Sequence, residues 1–374
     1  MKTDALVVDY SGAAFSYRQI SVEDEPRDDE VLVEIYSSGL CHTDLNFSKE
    51  TDIPGLFPAV FGHEGAGVVL KTGVNVQTTR PGDHVILTYS CCTNCNNCHS
   101  KETSFCDHFE TLNFGVGRMD GSKAYFTSTE PVTSHFFGQS SFAKFTMAMA
   151  SSVVKVDESL PLHFLAPLGC GVMTGAGALL NVLQPKKDAV LCITGAGTVG
   201  LAALMAVKLL PYPPSEFICV DIVPSRLELA KKFGATILIN SQEEPDLVVA
   251  LKHATNGRGV DGSIDTTGRP QVAGSLLKAT AKKGTVVQVG VGLLTAEVSA
   301  SMFDTVNSGR IYRGCAMGNG FPQEFLPKLI GAWQDGLFPF TDLVQSYPAE
   351  EIAEAVEAVN SGRVIKAVLT WDKP

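Results

Sequence analysis

The sequence predicts two architectures in one chain: an all-β domain with Greek-key or barrel-like packing, and an α/β domain built on a doubly wound parallel sheet. Three observations predict this. Residues 1–160 consist of short β-branched runs separated by glycine and proline turns. Residues 188–315 alternate apolar strands with amphipathic helices, the pattern of parallel βαβ units. A chain of 374 residues also exceeds what one hydrophobic core usually organises.

In the first region, strands are expected at 5–8, 31–35, 67–70 and 84–87, with Arg80-Pro81-Gly82-Asp83 as a turn between two of them. The texture changes near residue 170. Beyond it the strands expected are 189–194, 217–221, 236–240, 261–265, 284–290 and 310–315. The helices expected between them are 198–209, 224–233, 245–255 and 270–281. Pro211-Tyr212-Pro213-Pro214 reads as a rigid loop. The remainder predicts helices at 322–335 and 349–361 and a closing strand at 364–371.

Charge excludes one class of function. The formal net charge is −11 and no basic run exceeds two residues, which argues against a nucleic-acid partner. The longest apolar run, 201–210, is too short to span a bilayer. The N-terminus lacks a signal-peptide pattern and the last residues, TWDKP, carry no targeting signal, so a soluble, cytoplasmic protein without a membrane partner is expected. Ten cysteines in a reducing compartment are thiols or metal ligands, not disulfides. Five of them, Cys91, Cys92, Cys95, Cys98 and Cys106, crowd into sixteen residues.

The expected strand 189–194 runs into Gly195-Ala196-Gly197-Thr198-Val199-Gly200 and then a helix. A strand before and a helix after make this glycine pattern informative. The first glycine permits the turn, the second lets backbone approach a pyrophosphate, and the third lets helix and strand pack closely. The next strand ends at Asp221, whose carboxylate suits the two adenosine ribose hydroxyls and repels a 2′-phosphate. NAD is therefore favoured over NADP, although Arg226, Lys231 and Lys232 offset part of that repulsion.

Cys92, Cys95, Cys98 and Cys106 have the spacing of four thiolates around one tetrahedral zinc. With every position filled by protein, such a zinc is structural. Cys91 is out of register and reads as a spectator or a minor alternative ligand.

Together with Gly39-Leu40-Cys41-His42-Thr43-Asp44, Gly62-His63-Glu64-Gly65-Ala66-Gly67, Gly169-Cys170-Gly171 with Thr174-Gly175, and Lys366, these motifs occur in the order of a known family. Over essentially its whole length the chain resembles the medium-chain zinc-dependent alcohol dehydrogenases. The resemblance implies a discontinuous GroES-like β domain interrupted by a Rossmann domain, with the active site in the cleft between them. The expected division is 1–171 for the catalytic domain, with a structural-zinc lobe at about 91–106, then 172–316 for the NAD-binding domain, and 317–374 for the return to the catalytic domain.

The resemblance places a second, catalytic zinc on Cys41, His63 and Cys170, which leave a fourth position open for an alcohol or aldehyde oxygen. It gives Asp44 the far nitrogen of His63, puts Glu64 beside the metal, and makes Thr43 the first proton acceptor. It assigns His42 and Lys366 to the pyrophosphate, Thr174 and Val199 to the nicotinamide face, and the Val289-Gly290-Val291 backbone to the carboxamide. In many members the proton relay ends at a histidine two residues after the aspartate. Here that residue is Asn46, which cannot titrate near neutral pH, so water or another base ends the relay.

Segments 113–115, 118–122 and 136–142 resemble the aryl- and benzyl-alcohol branch. Phe136 and Phe137 are candidates for an aromatic wall, and the small side chain of Thr88 for a roomy pocket floor. The full-length stretch between Cys106 and Cys170 favours a homodimer over a tetramer, with a strand near 299–315 extending the sheet across a two-fold axis. Two rival activities remain open. One is a zinc lyase, isomerase or carbonyl/enal reductase on the same scaffold; the other is a glutathione-dependent formaldehyde dehydrogenase, which would need more basic residues near the pocket.

Overall fold

The computed structural model describes residues 1–292 and 295–371. Leu293 and Leu294, within the expected range 172–316, and the last three residues of the range 317–374 and of the TWDKP terminus lie outside the described residues. The described chain packs as two units. One holds residues 1–170, 321–328 and the stretch from 341; the other holds 171–320 and 329–340. The stretch 329–340, expected within the returning catalytic segment, packs with the second unit.

The first unit carries two antiparallel-rich sheets. The larger runs in the order Val153–Val156, His84–Leu87, Gly65–Thr72, Glu30–Gly39, Lys366–Thr370, Val344–Pro348, with Phe145–Met149 also pairing Glu30–Gly39. Alternating apolar residues fill its core: Val31, Val33 and Ile35 pack with Val69, Val85, Leu87 and Ala148. The expected turn at 80–83 forms, with Gly82 at φ +93° and the Asp83 carboxylate accepting from Arg80 N at 2.9 Å. The C-terminal strand inserts beside Glu30–Gly39, pairing Val368 with Gly39 and Leu369 with Ser38. That register carries Lys366 back beside Leu40, more than three hundred residues away in sequence, where its ammonium donates to Leu40 O at 3.1 Å.

The second unit is a parallel six-stranded sheet. Its order is Ile237–Asn240, Glu216–Asp221, Val190–Thr194, Val260–Asp265, Thr280–Gln288, Ile311–Gly314. Numbered along the chain this is 3-2-1-4-5-6, the doubly wound dinucleotide-binding order, whose reversal point lies at Val190–Thr194. Cys192, Ile218, Val220, Ile239, Leu251, Val260 and Val286 form its core. The helix expected over 198–209 is α-helical over Thr198–Met205 and tightens to a 3₁₀ turn over Ala206–Leu209.

One expectation fails here. The strand near 299–315 is confined to Ile311–Gly314, and Met302–Ser308 is a helix. The Ser301 side chain accepts from Asp304 N at 3.3 Å at its start, and Gly309, at φ +59°, ends it. Similarly, the helix expected over 270–281 stops at Ala279, because the next strand begins at Thr280. Among the described residues no single helix is long and apolar enough to cross a membrane.

Candidate functional site

Three segments of the first unit bring a metal-ligand set together. Cys41 precedes the short helix His42–Phe47, His63 follows a glycine turn, and Cys170 ends the 3₁₀ turn Ala166–Gly169. Gly62 adopts φ +92°, and a side chain there would lie 2.4 Å from Phe142 N, so only glycine closes this turn. Ligand atoms of Cys41, His63, Glu64 and Cys170 all fall within 4.8 Å of one another. His63 Nε2 is buried with no hydrogen-bond partner among the described residues. A buried, unpaired imidazole nitrogen facing two thiols is what a bound zinc would satisfy.

Asp44 organises this set. One carboxylate oxygen contacts His63 Nδ1 at 2.9 Å and accepts from Gly62 N at 3.0 Å; the other accepts from Cys41 N at 3.1 Å. Both Asp44 and His63 are fully buried. The aspartate therefore fixes the imidazole with its free nitrogen toward the sulfurs, as the resemblance implies. Electrostatics follow the same geometry. Cys170 beside it, and then His63, hold the Cys41 thiol well below its ordinary range against the opposing effect of burial. Sharing with Cys41 and burial push the Cys170 thiol up. Burial works to lower His63, but the Asp44 carboxylate and Cys41 outweigh it and raise the imidazole.

Glu64 and Lys366 form a buried ion pair at 2.6 Å. Lys366, expected at the pyrophosphate, is thus held against Glu64 with only 2% of its surface exposed. Gly39 leaves room for this carboxylate, since a Cβ there would lie 2.0 Å from Glu64 Oε2. Thr43 is half-buried with its hydroxyl 3.7 Å from Cys41 Sγ, whereas His42 and Asn46 are exposed.

Aromatic rings enclose the site. Phe137 stacks on the His63 ring at 4.5 Å between centroids, and Phe136 meets it edge-on at 5.8 Å. Phe114 packs edge-on against Phe137 at 5.2 Å, and Phe47 stacks on Phe114 at 5.2 Å. Phe47 escaped the sequence reading; its signal is the helical spacing of four from Thr43. Arg118, in a segment that resembles the aryl-alcohol branch, is instead buried between Glu23 and Glu30 and serves the β domain. Thr88 is fully buried and its hydroxyl donates to Gly169 O at 2.7 Å, beside Cys170. Gln139 escaped notice as an individual residue. Its amide binds backbone groups of His63, Gly65 and Thr88.

Cys92, Cys95, Cys98 and Cys106 form the second ligand group, also within 4.8 Å. Cys92 and Cys98 sulfurs are 3.9 Å apart, close to the roughly 3.8 Å expected for two thiolates on a tetrahedral zinc. Burial pushes the Cys106 thiol up, opposed by the backbone N–H groups of Cys92 and His108, which donate to its Sγ at 3.3 and 3.4 Å. Cys91 is not in the group; its N–H donates to Ser151 Oγ at 3.3 Å.

In the second unit the three glycines of the turn are distinguished by their surroundings. Gly195 has φ +91°. A Cβ at Gly200 would sit 1.9 Å from Gly195 O, so that position needs glycine for packing. A Cβ at Gly197 would meet nothing within 4 Å, leaving an open cradle where a phosphate can approach the helix N-terminus at Thr198. Asp221 accepts from Ala196 N at 2.6 Å and Val223 N at 2.8 Å, which ties the end of strand Glu216–Asp221 to the glycine turn. Arg226 is half-buried on the helix that follows, with Nε unpaired among the described residues. Thr174 Oγ1 is likewise buried and unpaired among them, and Val199 lies half-buried in the glycine turn. Val289 and Gly290 leave the sheet with both N–H groups on Asp265 O at 2.9 Å, and Val291 is exposed.

Two family models match the chain. "Alcohol dehydrogenase GroES-like domain" covers residues 27–158 and "Zinc-binding dehydrogenase" covers 198–332. A protein of Castellaniella defragrans named geraniol dehydrogenase is 40% identical over 92% of each chain. An S-(hydroxymethyl)glutathione dehydrogenase of Saccharomyces cerevisiae is 34% identical over 96% of this chain and 93% of that one. The crystal structure of benzyl alcohol dehydrogenase from Acinetobacter calcoaceticus superposes with a TM-score of 0.93 at 36% identity, covering 99% of both chains. An alcohol dehydrogenase zinc-binding domain protein from Burkholderia ambifaria gives 0.94 at 40% identity over the full length of both.

Proposed function

The chain belongs to the zinc-dependent medium-chain alcohol dehydrogenases, and from that premise we propose that it interconverts a primary aromatic or otherwise bulky alcohol and its aldehyde with NAD. The observation that carries the substrate class is the Phe137 ring stacked on the metal-ligand histidine within the Phe47–Phe114–Phe136 cluster. A flat ring or allylic chain gains offset-stacked and edge-on contacts against such a wall that a short alkyl chain cannot make. Relatives named for geraniol and benzyl alcohol are in keeping with this reading.

Cys41, His63 and Cys170 hold the catalytic zinc, and Cys92, Cys95, Cys98 and Cys106 hold the structural one. When bound, zinc polarises the reacting oxygen as a Lewis acid and NAD takes or returns the hydride. Asp44 keeps the His63 ring in its ligating orientation. Lys366 restrains Glu64 beside the metal. Thr43 would accept the hydroxyl proton of the alcohol as it releases its own, and because exposed Asn46 cannot titrate, water would complete the transfer. His42 contributes a basic group toward the pyrophosphate. Gly195, Gly197, Thr198 and Gly200 would cradle the pyrophosphate and Asp221 would hold the adenosine ribose hydroxyls, with Arg226 offsetting part of the Asp221 charge. Thr174 and Val199 would press on the nicotinamide, and the backbone of Val289, Gly290 and Val291 would receive its carboxamide.

The enzyme works as a homodimer in the cytoplasm. The edge strand Ile311–Gly314 is exposed throughout, and Met302, Phe303 and Val306 are each at least 80% exposed on the adjoining helix, an apolar face that a second copy would cover. All ten cysteines are free, which suits a reducing compartment. Relatives named S-(hydroxymethyl)glutathione dehydrogenase keep one alternative substrate in view. A panel of benzylic, allylic and short aliphatic alcohols with NAD⁺ and NADP⁺, plus formaldehyde with glutathione, followed at the nicotinamide absorbance, tests the proposal. It expects the highest kcat/KM for benzylic or allylic alcohols with NAD⁺. Turnover confined to glutathione adducts, or none with any alcohol, would overturn it.

A further inference from the structure

We propose that Gln139 is a positioning residue that keeps the catalytic zinc ligands in register, by tying the backbone that carries His63 to the strand end that leads to Cys170. This rests on the metal-site reading above. Gln139 is fully buried. Its Nε2 donates to His63 O at 2.9 Å and to Thr88 O at 2.8 Å, and its Oε1 accepts from Gly65 N at 3.1 Å. The amide has one workable orientation. Reversed, its oxygen would face two carbonyls and its NH₂ an N–H.

The linkage continues to the second thiolate. Thr88 Oγ1 donates to Gly169 O at 2.7 Å, one residue before Cys170. A Cβ at Gly169 would lie 2.1 Å from Leu87 O, so this turn and the Thr88 strand meet backbone to backbone. One side chain therefore joins two segments that precede it by 76 and 51 residues, and each carries or leads to a metal ligand.

Gln139 also sits in a backbone that needs restraint. His135, Phe137, Gly138 and Ser140 have φ of 64°, 53°, 68° and 54°. Left-handed non-glycine residues persist only where the surroundings over-determine them. Thr146 Oγ1 donates to Gln139 O, and Tyr125 OH donates to Thr146 Oγ1 at 2.8 Å. This framework carries Phe137, whose ring stacks on the His63 ring at 4.5 Å, while the Gln139 side chain holds the His63 main chain. An amide is required because the site needs two donated hydrogens and one acceptor. A glutamate only accepts, and a methionine does neither.

The test uses full-length enzyme as purified, with Gln139→Glu and Gln139→Met. Zinc per chain is measured, then its release to excess chelator is followed by the chelator's absorbance, with thermal melting alongside. The expected result is that one zinc equivalent leaves each variant about tenfold faster or more than wild type, while the other leaves at the wild-type rate. Added zinc restores turnover. A lowered melting temperature with both zincs leaving at wild-type rates would make Gln139 merely structural and overturn the proposal. If neither variant folds, Thr88→Val carries the test, since it removes only the bond to Gly169. The same one-site acceleration is expected, and wild-type release of both zincs overturns the proposal. A wild type that holds fewer than two zincs overturns the metal-site reading and the proposal with it.

Discussion

Replacing Asp44 by asparagine should loosen the catalytic metal without unfolding the protein, and the size of the effect can be worked from three hydrogen bonds. The carboxylate is acceptor-only and faces three nitrogens: His63 Nδ1 at 2.9 Å, Gly62 N at 3.0 Å and Cys41 N at 3.1 Å. An amide has one acceptor oxygen. If that oxygen serves His63 and Gly62, the NH₂ faces the N–H of Cys41, donor against donor; if it turns, the His63 and Gly62 N–H groups are orphaned. Either way a buried donor goes unsatisfied, at about 1–3 kcal/mol. His63 also loses the anion that raises it and fixes its ring. At about 1.4 kcal/mol per factor of ten, zinc affinity at this site should fall roughly tenfold to a hundredfold. The assay is zinc retention against a graded chelator series, with kcat at saturating zinc. Retention equal to wild type in a folded Asp44→Asn enzyme would refute the reasoning.

Three further outcomes follow from the same structure. Gly197→Ala should melt like wild type but bind NAD⁺ at least tenfold more weakly by fluorescence titration, because its methyl enters the open cradle; Gly200→Ala should lose stability, because its methyl meets Gly195 O at 1.9 Å. Equal melting and equal NAD⁺ affinity for both would contradict the cradle. Glu30 is lowered from 4.5 to about 2, where burial opposes the shift and His135 and Arg118 outweigh it. A depressed folded-state value means stabilisation that is complete above about 4.5 and lost as pH falls through about 2, on the order of 3 kcal/mol. The stability from urea melts should fall more steeply with falling pH across that window for wild type than for Glu30→Gln, and parallel pH dependences would remove Glu30 from the account. Alcohol oxidation should climb with pH in wild type without a histidine-like inflection, and Asn46→His should introduce one near about 6.5. Identical profiles with a break near that value would mean another histidine ends the relay.

Legibility from sequence tracked the distance over which each feature is encoded. The glycine turn and the four-cysteine lobe lie within short windows, so spacing sufficed. The set Cys41, His63 and Cys170 is spread over 130 residues, and only the ordered motifs around each ligand joined them. Gln139 was invisible as a positioning residue because its partners are main-chain carbonyls, which leave no mark in the pattern of side chains. The resemblance put Lys366 at the pyrophosphate; its ion pair with Glu64 depends on a strand inserted from the far end of the chain. The strand near 299–315 was expected with the dimer that the resemblance implies; Met302–Ser308 is instead a helix with Met302, Phe303 and Val306 exposed, and Ser301 and Gly309 set its ends. Tertiary context, not local propensity, decided the placements of Gln139 and Lys366.

Metal stoichiometry of three purified proteins tests the central claim most directly: wild type, His63→Ala, and Cys95→Ser. Two zincs per wild-type chain are predicted. His63→Ala should stay folded and keep one zinc, with NAD⁺-linked turnover abolished, while Cys95→Ser should lose the other zinc and melt at lower temperature. A His63→Ala enzyme that retains both zincs and oxidises alcohol would contradict the account.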